Sequence, residues 1–226
     1  VIGGAAFVDL LLRDRRAAIA RVRDAAAADL AGIVRAMVAT IAVCAAIVGA
    51  ALGSDRGGVQ ILYAAVKLPV VLLGAAMLSA PALTAIGGAL GRPVRLVHDL
   101  AIVITALGFG ALVLVAGTPL LLLAHAGGVG YHATILLVVG VFAMAGLATL
   151  RVIVGAYAGD AAPGRRAGVL ALCCTFAVVG GQLAWALRPY LVRPALRDQD
   201  AAFVEPREGS LVDAIFDTTR STQRGW

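Results

Sequence analysis

Charged side chains are scarce in this sequence. Asp, Glu, Lys and Arg make up 14% of its 226 residues, against 61% hydrophobic ones and a mean hydropathy of +0.95. A soluble domain is roughly a quarter charged, so this composition excludes an ordinary soluble fold. Cysteine is also rare: Cys44, Cys173 and Cys174 all lie inside apolar blocks. Adjacent cysteines rarely pair, and buried thiols behave as small apolar groups, so no disulfide framework is expected. The opening residues 1–12 lack the basic stretch that precedes the apolar core of a secretory signal, since Arg13, Arg15 and Arg16 follow them instead.

What remains falls into apolar blocks long enough to cross a bilayer, which takes about 20 residues because the hydrocarbon layer is roughly 30 Å thick. The expected fold is an all-α integral membrane protein with five transmembrane helices, at about 37–52, 59–78, 100–122, 134–154 and 168–187. An N-terminal amphipathic helical segment (1–36) precedes this transmembrane domain (37–190), and a polar extramembrane tail (191–226) follows. The N-terminal segment reads as one helix from about Asp9 to Arg35, its apolar side made by Leu12, Ile19, Val22, Ala26, Leu30 and Ile33. Pro69 is a candidate bend in the second block, and 82–90 reads as its extension or a short interfacial helix. In the tail, Ser210 can cap a short helix with Asp213 in its first turn and Leu211, Val212, Ile215 and Phe216 on its apolar side.

The net charge of +6 comes almost entirely from arginine. The arginines alternate with acids or flank apolar blocks, which marks them as topology signals and contacts to anionic lipids, with no nucleic-acid partner expected. Base is richest in the N-terminal region, in 92–95 and in 151–166, whereas the loop holding His125 and His132 is nearly neutral. Five crossings put all three basic regions on the cytoplasmic side, with the N-terminus inside and the tail outside. A four-span path with a re-entrant second block puts the tail inside.

Few residues offer chemistry. Lys67 lies in an apolar run two residues before Pro69, where a charge must face protein, water or an interface. It either snorkels to the nearby interface or contacts an ion or substrate. Gln182, Trp185 and Arg188, three residues apart, share a helical side and, with Tyr190, suit an interfacial anchor, a headgroup contact or a partner contact. His98 falls at the opposite membrane face from His125 and His132, and Cys173 and Cys174 point to different sides of a helix. No metal, haem or other cofactor is predicted, and no acid–base pair or phosphate-binding loop emerges. Small residues (the pairs Gly87 and Gly91, Gly155 and Gly159, and Gly108, Gly110, Gly140, Ala143 and Gly146) provide narrow surfaces for close helix packing.

The run Gly181-Gln182-Leu183-Ala184-Trp185-Ala186-Leu187-Arg188-Pro189, with a tail through Phe203 and Arg207-Glu208-Gly209, resembles a recurring feature of uncharacterised bacterial multi-pass membrane proteins. The arrangement also loosely resembles small five-span Yip1-type membrane proteins. This resemblance implies a bacterial inner-membrane setting and supplies no catalytic residue. The leading expectation is therefore a structural or assembly subunit that binds other membrane-protein subunits or its own copies. A small channel or transporter using a polar route near Lys67 and Gln182 is the alternative, and a membrane enzyme is the least supported.

Overall fold

The computed structural model describes residues 4–54, 57–89, 95–129, 131–156, 170, 173–175, 177–179 and 203. Among them the chain is helical throughout, in the order α1 (Gly4–Arg13), α2 (Arg15–Asp24), α3 (Ala27–Gly53), α4 (Val59–Ala89), α5 (Leu96–Ala116), α6 (Thr118–Ala126) and α7 (Tyr131–Ala156). Leu170 and residues 173–175 and 177–179 are helical too. Four helical stretches are long and apolar enough to cross a membrane: Ala28–Gly53, Val59–Ala82, Leu96–Ala126 and Ala133–Ala156. Hydrocarbon offers no hydrogen-bond partner to a peptide group, so helices that pair their backbone internally are the form such segments take.

The expected single N-terminal helix is divided. Asp14 takes an extended backbone (φ −139°, ψ 90°), and its carboxylate accepts hydrogen bonds from the Arg16 and Ala17 backbone amides, which ends α1 and starts α2. A second break at Ala25 and Ala26 separates α2 from α3. The breaks reset the helical phase. Phe7 and Leu11 are buried in place of Leu12, which is exposed with Ala26, while Ile19, Val22, Leu30 and Ile33 are buried as expected.

The spans zigzag between two ends of the bundle. At the far end Gly57 and Gly58 take positive φ (79° and 56°), which glycine adopts without strain, and turn α3 into α4. The near end carries α1 and α2, the start of α3, the end of α4, the start of α5 and the end of α7. A core there joins Phe7, Leu11, Ile19, Val22, Leu30 and Met37 to Ile102, Val103 and Val152. A second core, nearer the far end, holds Val48, Leu52, Leu68, Leu114, Leu121 and Val141. α4 runs unbroken past both Pro69 and Pro81, so 82–89 extends that helix. The third crossing is two helices, α5 and α6, meeting at Gly117 with Pro119 in the first turn of α6. Proline there costs no hydrogen bond, since the first-turn N–H has no intrahelical acceptor.

Two glycines set the closest approach. A Cβ on Gly49 would overlap the Ala64 carbonyl and sit 2.9 Å from the Ala65 Cα, and one on Gly53 would sit 2.6 Å from the Gln60 carbonyl oxygen. They are four residues apart on α3, so α4 lies backbone to backbone against them. Gly110 does the same for α5 and α7, where a Cβ would overlap the Thr149 hydroxyl. Gly140 and Gly146 on α7 have open space beside them. Gly49→Ala should therefore cost about 1–3 kcal/mol of stability, while Gly146→Ala should stay within about 0.5 kcal/mol. Thermal unfolding in detergent micelles reads both, and equal effects would contradict this packing.

Candidate functional site

Buried polar side chains mark where an apolar bundle departs from simple packing. Among the described residues α4 carries four of them, Gln60, Lys67, Ser79 and Thr84, and α5 carries Asp99 and Thr105. Four of them form two groups at different depths, Gln60 with Lys67 and Thr84 with Asp99.

The first group lies toward the far end. Gln60, Tyr63 and Lys67 recur at helical spacing along one side of α4, the side that meets Gly53 and Gly49 of α3. Lys67, the chain's one lysine, has 0% relative exposure. Side chains on a helix lean toward its N-terminus, which carries the amine from Lys67 toward the level of Tyr63. Phe203 meets it there. The Lys67 Nζ lies 5.0 Å from the centre of the Phe203 ring, and the Tyr63 and Phe203 rings pack edge to face at 5.2 Å. The ring's negative face attracts the ammonium, a contact worth about 2 kcal/mol when desolvated. Pro69 adds a second polar feature, because it has no N–H to give the Ala65 carbonyl one turn earlier.

The second group lies at the near end. The Thr84 hydroxyl is 3.2 Å from both the Ala80 carbonyl and the Asp99 carboxylate oxygen Oδ2, so its one proton can serve either acceptor. Asp99 stands in the first turn of α5, where the helix dipole favours negative charge. The pair ties the end of α4 to the start of α5.

Lys67 is thus the expected site residue that the structure describes, and it is enclosed. Gln182, Trp185, Arg188 and Tyr190 lie outside the described residues, as do most of the expected fifth span, Gly91, Gly159 and the Ser210–Asp213 helix. His98 sits at the near end of α5, and His125 lies in the last turn of α6 toward the far end. No group of three or more His, Cys, Asp or Glu side chains gathers among the described residues. Sequence reasoning missed Tyr63, Phe203 and the Thr84–Asp99 pair. The signal for Phe203 was an aromatic residue in a polar tail, and for Asp99 an acid at the mouth of an apolar block.

Family models, curated proteins and solved structures yield no match to this chain. The arrangement at Lys67 holds the amine by ring contact and helix packing. Its chemistry is that of a staple between the tail and α4. Phe203→Ala should lower stability by about 1–3 kcal/mol through loss of both ring contacts, with Phe203→Tyr close to the parent. An unchanged melting midpoint for Phe203→Ala in micelles would show that the ring does not hold Lys67.

Proposed function

We propose that this chain is a five-span inner-membrane protein of bacterial type acting as a structural or assembly subunit, its exposed α7 side receiving a helix of another membrane protein. The observation that carries this reading is a contrast among glycines. Gly49, Gly53, Gly108 and Gly110 are filled by neighbouring atoms, whereas Gly140 and Gly146 face open space beside exposed Leu136, Val139, Met144 and Leu147. Such a narrow apolar surface lets a partner helix approach closely and gain dispersion contacts that lipid tails pack less well. Lys67 adds support. It is closed off beneath Phe203, which favours a structural role over a polar transport route through Lys67 and Gln182.

A fifth crossing is supported by two contacts at opposite ends. A Cβ added at Gly155, in the last turn of α7, would sit 3.6 Å from the Ile19 Cδ1 at the near end. Phe203 lies against Tyr63 and Lys67, in the first three turns of α4 at the other end. A chain passing from one to the other makes an odd number of crossings, and 168–187 is the apolar block between them, with helical residues at 173–175 and 177–179. The basic N-terminal helices favour a cytoplasmic near end.

Isolation in mild detergent should recover a heteromeric complex that Gly140→Leu and Gly146→Leu disrupt without lowering the melting midpoint of the subunit. A chain that stays monomeric through gentle extraction contradicts the assembly reading, and a homo-oligomer assigns the α7 surface to self-association. In the five-span arrangement, single cysteines replacing Ala20 and Thr222 in a background without native cysteines react with an impermeant thiol reagent from opposite sides of the membrane. Labelling from one side leaves an even number of crossings.

A further inference from the structure

We infer that Arg15 and Arg151 form a clamp for the phosphate of an anionic lipid headgroup at the near-end boundary of the bilayer. The inference rests on the membrane-embedded reading and names a lipid class and a place for it. Two independent features bring these arginines together.

The first is helix geometry. The Arg15 guanidinium lies 5.3 Å from the centre of the Phe109 ring on α5. The next residue, Gly110, abuts Thr149 of α7, so the Arg15 guanidinium reaches toward the level of Thr149 to Arg151. One turn further along α2, Ile19 meets Gly155, which is one turn beyond Arg151. α2 and α7 therefore run in the same direction along this seam. Arg15 and Arg151 each stand four residues before a residue of the Ile19–Gly155 contact, which places both on the seam at the same height. Both are exposed.

The second is depth. Counted from the far-end turns, α3 reaches Arg35, α4 reaches Ser79, the α6–α5 stretch reaches Thr105, and α7 reaches Arg151 after about 20 residues, or roughly 30 Å of helix. Arg35 on α3 and Arg151 on α7, the first charged residues those helices reach from the far end, thus stand at about the level of the seam with Arg15. The exposed apolar side chains of α7, Leu136, Val139, Met144 and Leu147, end just before it. On the near-end side of this level α5 is enclosed from Ala101 to Ile104 by the N-terminal helices and its neighbours, as an extramembrane cap would be.

Arg13 pairs with Asp9 at 2.8 Å, whereas among the described residues no carboxylate is seen in contact with Arg15 or Arg151. Two guanidinium groups side by side repel unless an anion lies between them, and guanidinium forks match phosphate oxygens in pairs. The Phe109 ring fixes one of the two.

Native mass spectrometry of the full chain, released from nanodiscs of mixed phosphatidylglycerol and phosphatidylcholine, tests this. The parent should retain phosphatidylglycerol preferentially. Arg15→Gln and Arg151→Gln should each reduce that retention about fivefold, taking roughly 1 kcal/mol for each basic residue near an anionic surface. Arg13→Gln, which removes a charge already paired with Asp9, should leave it close to the parent. Equal losses in all three variants would show a diffuse basic surface and overturn the clamp, as would retention that ignores headgroup charge. Displacement by millimolar inorganic phosphate would also overturn it, since the site would then take the free ion. Any of these failures leaves the assembly reading intact, because that reading is carried by the far side of α7.

Discussion

The constraint on which this structure depends is the lack of hydrogen-bonding partners in hydrocarbon. An unpaired peptide group there costs several kcal/mol, so each apolar block closes its own backbone as a helix before packing is decided. Packing then has little hydrophobic drive, because a lipid tail is as apolar as a leucine. Close backbone approach takes over that role, and glycine permits it. Gly49 and Gly53 bring α4 onto α3, and Gly110 brings α7 onto α5. Gln60 is buried where that approach is closest.

Seen from α4, the molecule is a set of solutions to polar groups in an apolar place. Lys67 is covered by an aromatic ring from a residue far along the chain, and Thr84 shares its hydroxyl with Asp99. The two solutions lie toward opposite ends of one 31-residue helix. They tie its far half to the tail and its near end to α5. A helix fastened in this way carries two prolines and still continues as one helix, each missing donor lying between fixed points.

Hydropathy alone made the four spans legible, because length and composition are what the bilayer selects. The depth of Lys67 was legible too, as a charge inside an apolar run. Its partner was not, because cation–ring contact with Phe203 joins residues more than a hundred positions apart and leaves no local pattern. The break at Asp14 was hidden inside a strong apolar periodicity. A carboxylate that binds two backbone amides competes with helix continuation, and the period of Leu12 and Ile19 carries no trace of that competition. The pairs at Gly87 and Gly155 drew attention by spacing, whereas Gly49 and Gly53, equally spaced, set the tightest contact. Spacing shows that a close approach is permitted. The neighbouring helix decides where it happens.

In the isolated subunit, without a partner helix, the outward side of α7 should face lipid down to Arg151 and leave it there. Spin labels placed singly at Leu136, Val139, Met144, Leu147, Arg151 and Val154 in nanodiscs measure this directly through collision with oxygen or with a water-soluble nickel chelate. Oxygen should dominate from Leu136 to Leu147, with a switch to the chelate at Arg151 and Val154. Chelate accessibility along the entire row would contradict the account.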